Sequence, residues 1–301
     1  MGEDDGMLRP HGVVPALVTP LTEQGAVDEA ALRRVVDHVV GHGVHGVFAL
    51  GSAGEIYGLG RRERRRVLEV TVDQGGGRVP VYCGASDITT TDCIETVRMA
   101  HEVGGVDAFS VLTPYFMTPS QPELVQHFRA IAASTDLPVM LYANPARTHV
   151  PISVAATVEL APVHNIIGIK DSTGDMALLL QYVQETPDDF TVLVGNDAVV
   201  LPGLYLGATG AIASTASALP ERRSACTTRT RPATTTVPGA CRGCWPRCVG
   251  SWSAPAPSRS RSRRRCGSAA STRAGACRRR ETCRRRRERP FRLCSTRSSS
   301  V

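Results

Sequence analysis

The chain has 301 residues, a formal charge of +7 from 35 Lys+Arg and 28 Asp+Glu, and ten cysteines. That length can bury a large core. No apolar run is long enough to span a bilayer, and the acidic start MGEDDGMLRPHG lacks the basic residues and apolar stretch of a secretory signal.

The averages conceal two unlike parts. Residues 1–221 hold 13 Lys+Arg and 26 Asp+Glu, a charge of −13, whereas residues 222–301 hold 22 arginines with only Glu281 and Glu288, a charge of +20. Eight cysteines fall in the second part, which leaves Cys83 and Cys93 in the first and no disulfide framework there. The expected organisation is a disordered segment at 1–11, the body of a cytoplasmic enzyme at 12–221, and a separate tail at 222–301.

Along the body, short apolar runs alternate with longer amphipathic segments. VVPALVT (13–19) precedes DEAALRRVVDHVVGHG (28–43), and GVFAL (46–50) precedes RRERRRVLEVTVDQG (61–75). VPVYCG (79–84) precedes TDCIETVRMAHEVGG (91–105), and AFSVL (108–112) precedes PELVQHFRAIAAST (122–135). LPVMLY (137–142), IIGIK (166–170), FTVLVG (190–195) and GAIAS (210–214) complete the series. Eight strand-like runs separated by helical patterns predict repeated βα units. Runs that are apolar throughout suit strands buried on both faces of a parallel sheet. An α/β TIM (β/α)8 barrel is therefore expected, with its site at the C-terminal ends of the strands. A doubly wound sheet fits less well, because no GxGxxG follows the first run.

Lys170, at the end of the sixth run, is the only lysine in the chain. Read alone, it is a surface lysine at a strand exit. Its scarcity among arginines argues for a task that a guanidinium cannot perform, since an amine can lose its proton and attack a carbonyl. The neighbouring Ile166, Ile167 and Ile169 would assist by desolvating the charged form.

GSAGE (51–55), TPYF (113–116), LYANPART (141–148), GIKDSTGD (168–175) and GATGAIAS (207–214) occur in an order and at spacings that resemble the dihydrodipicolinate synthase / N-acetylneuraminate lyase family, over about residues 12–221. The resemblance implies a TIM-barrel class I aldolase that binds pyruvate as a Schiff base, without metal or organic cofactor. It implies that Lys170 forms the imine and that Tyr142 shuttles protons. Ser52 would hold Tyr142, and Ser52, Ala53 and Gly54 would cradle the pyruvate carboxylate through backbone N–H groups. Arg147 would meet a carboxylate on the second substrate, Ile212 would touch pyruvate, and Asp197 would face the acceptor. Each has an ordinary alternative: Tyr142 a core tyrosine, GSAG a turn, Arg147 a solvated loop residue, Asp197 a helix N-cap. The partners implied are a small 2-keto acid and an aldehyde, in a homo-oligomer (dimer or tetramer), with no nucleic acid and no membrane.

Two departures bear on the substrate. The family frequently carries a second tyrosine, supplied by a neighbouring subunit, where Phe116 stands, and often a threonine where Ala53 stands. Phe116 cannot donate a hydrogen bond. Both changes favour a relative acting on another 2-keto acid over 4-hydroxy-tetrahydrodipicolinate synthase itself.

The tail, with CRGC (241–244) and runs such as CRRRRERP, has the composition of a zinc or nucleic-acid module. It contains neither regular ligand spacing nor an apolar core, and it has no Ile or Met and a single Leu. A change of reading frame accounts for more. Back-translated with GC-rich codons and read one nucleotide earlier, ACTTRTRPATTTVPG (225–239) permits LYDAYAAGDYDRAR, and GCWPRCVG (243–250) permits LLAPLRR. RCGSAASTRA (265–274) permits VRLGGIDAG, and LCSTRSS (293–299) gives LLDEIV. These are amphipathic segments resembling the family's C-terminal helices, in order. A frameshift between Glu221 and Ala225 is the expected cause, leaving a disordered tail without function. A basic-tailed nucleic-acid-binding protein on an inactive barrel is the alternative from another class.

Overall fold

The computed structural model describes residues 7–220. The assignments made above for residues 222–301 lie outside them. Eight strands alternate with helices: β1 (Gly12–Pro15), α1 (Glu29–Gly41), β2 (Val47–Ala49), α2 (Arg61–Gly75), β3 (Val81–Gly84), α3 (Thr90–Val103), β4 (Ala108–Leu112) and α4 (Gln121–Ala132). Next come β5 (Val139–Ala143), the one-turn α5 (Pro145–Thr148), α6 (Val154–Leu160), β6 (Ile166–Asp171), α7 (Met176–Glu185), β7 (Thr191–Val194), α8 (Val200–Tyr205) and β8 (Gly210–Ala213).

All strand pairs are parallel, in the order β1-β8-β7-β6-β5-β4-β3-β2. The remaining seam between β1 and β2 is drawn together by a parallel bridge between Ala16 and Phe48, with Leu17 N–H donating to the Phe48 carbonyl at 2.9 Å. The sheet is thus a nearly closed barrel of eight strands, as the alternation predicts.

Every strand residue is buried, which explains runs that are apolar without a gap. Val14, Phe48, Tyr82, Met140, Leu193 and Ile212 fill the interior of the barrel. Residues of opposite parity, such as Val13, Val47, Val81, Phe109, Leu141 and Val192, pack outward against the helices. The helices meet them with single apolar faces, Leu32, Val36 and Val39 in α1 for example. Caps fix where helices start. Asp28 accepts from Ala31 N–H at 2.8 Å before α1, and Ser120 with Glu123 forms a capping box at α4.

The expected disordered segment 1–11 is too long at its C-terminal end. Met7 and Leu8 pack against the barrel interior, and the Pro10 carbonyl accepts from Thr209 Oγ1 at 3.0 Å. Apolar contact and a side-chain hydrogen bond therefore hold residues 7–10 before β1 begins. Cys83 and Cys93 are free and buried, and burial pushes both thiols up to about 12. No described helix is long and apolar enough to cross a membrane.

One irregularity sets the geometry of the site. Strand β6 pairs with β5 through Val139↔Ile166 and then Met140↔Gly168, so one extra residue is inserted opposite the Val139–Met140 step. Side chains alternate along a strand, and a slip of one residue exchanges the two faces. With the bulge, Lys170 is the register partner of Tyr142. Without it Ile169 would take that place, and Lys170 would turn toward the helices. Gly168, at the bulge, lies so close to Thr191 of β7 that a Cβ there would overlap the Thr191 carbonyl oxygen.

Candidate active site

At the C-terminal end of the barrel is a cavity of about 640 Å³. Lys170 and Tyr142 line it from β6 and β5, with Ser52, Ala53, Arg147, Asp197, Asn144 and Ser172 around them. Lys170 is 4% exposed, and its Nζ lies 4.1 Å from the centroid of the Tyr142 ring and 5.0 Å from that of Phe48. Burial pushes its ammonium below the ordinary lysine range, and the opposing pull of Tyr142 and Asp197 does not cancel this. For Tyr142, burial alone would raise the phenol. The Lys170 charge, with the polar groups of Ser52, Asn144 and Ser172, outweighs burial and brings it below its usual value. Burial thus favours the neutral amine of Lys170, and the Tyr142 phenol stands against it as the group with which a proton can be exchanged.

Ser52 and Ala53 open a single 3₁₀ turn, Ser52–Gly54, immediately after β2. Gly54 N–H closes this turn onto the Gly51 carbonyl at 3.0 Å, and as first-turn groups the Ser52 and Ala53 N–H groups have no partner within it. Thr19 Oγ1 donates to the Gly54 carbonyl at 2.7 Å and ties the turn to the loop after β1. Arg147 stands exposed on α5 at the cavity wall.

Three expected positions differ in detail. Ile212 is fully buried and belongs to the layer of side chains inside the barrel, paired in register with Val14, and does not line the cavity. Gly54 is buried within its turn and also lies behind the wall. Asp197 does line the cavity, but its carboxylate accepts from Ser214 N–H at 3.1 Å, Thr215 N–H at 3.3 Å and Thr215 Oγ1 at 2.6 Å. It therefore holds the loop after β8 to the loop after β7. The capping role falls to Asn196, which accepts from Ala198 N–H at 3.1 Å.

Two lining residues went unnoticed in the sequence. Asn144 Nδ2 donates to the Tyr142 hydroxyl at 3.0 Å. Ser172 Oγ is shielded from solvent without a hydrogen-bond partner at ordinary distance among the described residues. Gly195 makes room for it, since a Cβ there would overlap Ser172 Oγ and press on Lys170 Cε at 2.9 Å. Each stands two residues beyond its reactive neighbour, Tyr142 or Lys170, so the period of two along a strand was the available signal. Phe116, next to the cavity-lining Tyr115, is 88% exposed at φ 76°, a conformation costly for a bulky side chain. Among the described residues no cluster of three or more His, Cys, Asp or Glu side chains is placed to hold a metal ion.

A parallel barrel with a buried lysine set against a phenol at its C-terminal mouth defines an enzyme of the class I aldolase type. Comparison with known proteins agrees. The Dihydrodipicolinate synthetase family model matches residues 9–233. The 4-hydroxy-tetrahydrodipicolinate synthase of Methanopyrus kandleri is 39% identical over 213 residues, covering 70% of this chain and 71% of its own. The crystal structure of dihydrodipicolinate synthase from Aquifex aeolicus superposes with a TM-score of 0.71 at 32% identity, covering 73% of this chain and 75% of that one. A pyruvate complex of a prophage protein of the dihydrodipicolinic acid synthase family from E. coli K12 gives a TM-score of 0.70 at 31% identity, with 73% and 78% covered. The chain belongs to the dihydrodipicolinate synthetase family.

Proposed function

We propose that the chain holds pyruvate, or another 2-keto acid, as an imine on Lys170 and makes or breaks a bond at the adjacent carbon. The neutral amine adds to the keto carbon, and water leaves with a proton passed through Tyr142. The protonated imine then accepts the electron pair released when a C3 proton departs to the phenolate. The resulting enamine attacks an aldehyde carbon, whose oxygen takes up a proton, and hydrolysis frees the lysine. Run backward, the same steps cleave a 2-keto-3-deoxy acid; if the enamine formed at C3 instead expels the C4 hydroxyl, which leaves as water on taking up a proton, the result is dehydration. No metal or organic cofactor is needed, because the imine nitrogen accepts the electrons. In this reading the N–H groups of Ser52 and Ala53 receive the carboxylate, and Arg147 faces the second substrate.

The observation that carries the proposal is the chain's only lysine, buried with its Nζ 4.1 Å from the Tyr142 ring centroid. Borohydride added with pyruvate should fix one covalent adduct on Lys170 in the chain with its reading frame restored. Peptide mass spectrometry finding no adduct, or an adduct that survives Lys170→Arg, would sink the Schiff base.

A second reading, 4-hydroxy-tetrahydrodipicolinate synthase itself, is favoured by the name of the Methanopyrus kandleri relative and by Arg147 at the cavity wall. The absence of a hydroxyl at Phe116 weighs against it. Pyruvate release from members of a panel of 2-keto-3-deoxy acids would support the first reading, and its absence the second. The exposed, left-handed Phe116 supports a homo-oligomer, and the proposed setting is cytoplasmic.

A further inference from the structure

We propose that Asn144 is a positioning residue for Tyr142, fixing the phenol oxygen so that its proton can travel only toward the imine or Ser52. The inference deepens the Schiff-base reading and rests on it. Its basis is the 3.0 Å hydrogen bond from Asn144 Nδ2 to the Tyr142 hydroxyl, made inside the cavity.

An amide N–H donates and cannot take a proton. It fills one lone pair of the phenol oxygen and steadies the phenolate without competing for the proton that moves. The side chain is aimed by its own backbone. The Asn144 carbonyl accepts from Arg147 N–H at 2.9 Å and Thr148 N–H at 3.1 Å, so the first turn of α5 anchors the residue. Thr148 is itself buried and bonded to Thr113 Oγ1 at 2.8 Å, which links the anchor to the loop after β4. The backbone that carries the amide is thus anchored in α5 and, through Thr148, to the loop after β4, and the amide faces an oxygen it can only support. Phe116, the aromatic residue immediately after the TPY segment, has no hydroxyl with which to do the same.

The charged groups that share the cavity with the phenol are Lys170 from β6, Asp197 after β7 and Arg147 on α5. Tyr57 and Tyr115 are the other titratable groups lining it. Substitutions at Asn144 leave all of these in place.

The test compares Asn144→Leu and Asn144→Asp, both close to the size of asparagine, in the 301-residue chain and in its frame-restored form. Ultraviolet tyrosinate titration, with Tyr142→Phe subtracted, reports the phenol directly. Asn144→Leu should move the Tyr142 midpoint upward by about one pH unit, the worth of one lost hydrogen bond to a charge. Asn144→Asp, which can only accept and adds a negative charge, should move it at least as far. Turnover should fall about 10-fold or more in both, with the apparent affinity for pyruvate within about twofold. Borohydride should still trap the Lys170 imine, which separates loss of positioning from loss of the fold. An unmoved midpoint with unchanged turnover overturns the proposal, as does an Asn144→Asp variant with wild-type behaviour. Loss of trapping in the unsubstituted chain would overturn the Schiff base, whereas the tyrosinate midpoint would still report on Asn144.

Discussion

Tyr142 stands at the meeting point of β5 and β6 with Lys170 as its register partner and an amide donor on its oxygen. A group so placed can both receive and return a proton without moving. Tyr142→Phe keeps the ring that packs on Lys170 and removes only the hydroxyl. Turnover should fall by about 10²–10⁴-fold, the usual worth of a positioned acid–base group. Pyruvate binding should change far less, because the carboxylate is assigned to the turn after β2. Steady-state kinetics with separate kcat and KM checks this, and an unchanged kcat would remove Tyr142 from the relay and direct attention to Tyr115. Lys170 itself was legible in the sequence through its scarcity, and Tyr142, Ser52, Ala53 and Arg147 through the quoted motifs; the structure brings all five to one cavity. Asn144 and Ser172 were not noticed, although they lie inside those motifs. A polar residue just past a strand end reads as loop chemistry until its neighbour's face is known.

At the scale of elements, apolar runs and amphipathic segments were enough to place the strands and the first four helices within a few residues. The bulge in β6 was not legible. It is a property of how two strands align, and nothing in IIGIK distinguishes a bulged from a regular strand. Yet it decides which face Lys170 occupies. Gly168 is the residue that the alignment requires, because β7 passes too close for any Cβ. Gly168→Ala should therefore cost about 1–3 kcal/mol, as overpacking of a tight interior does. For a barrel of this size that corresponds to a Tm lower by roughly 2–12 °C. Borohydride trapping should fall in parallel as Lys170 is displaced. A variant that melts with the parent would show that β6 and β7 can separate freely. Asp197 carries a tie that its place in the sequence does not reveal. It lines the cavity, and its carboxylate also accepts from Ser214 and Thr215, which only the folded loops bring near.

Taken whole, the described barrel ends just after β8, and Leu201, Tyr205 and Leu219 remain exposed among its described residues. Residues 222–301 contain no Ile or Met and one Leu, so their sequence offers little aliphatic surface to cover such positions. Their +20 charge is attracted to the −13 body only nonspecifically, and salt weakens that attraction. The frame-restored chain should accordingly be soluble and active with pyruvate, and both the chain as written and a version ending at Glu221 should be far less so. Expression of the three side by side, with the nucleotide sequence around codons 221–225, checks this. Equal activity of the chain as written and the restored form would return the tail to the rank of a functional module.

The solitary, shielded lysine also sets how this polypeptide meets reactive carbonyls in its surroundings. Simple sugars and aldehydes attach to proteins at amines, and here Lys170 is the only side-chain amine. A molecule too large for the cavity finds no side-chain amine to modify or crosslink, however many arginines surround it. One small enough to enter meets the residue on which turnover is proposed to depend. Imine-forming attack by simple sugars and aldehydes should therefore register as lost active sites, one per modified lysine, whereas α-dicarbonyls would still find exposed arginines such as Arg61 and Arg62.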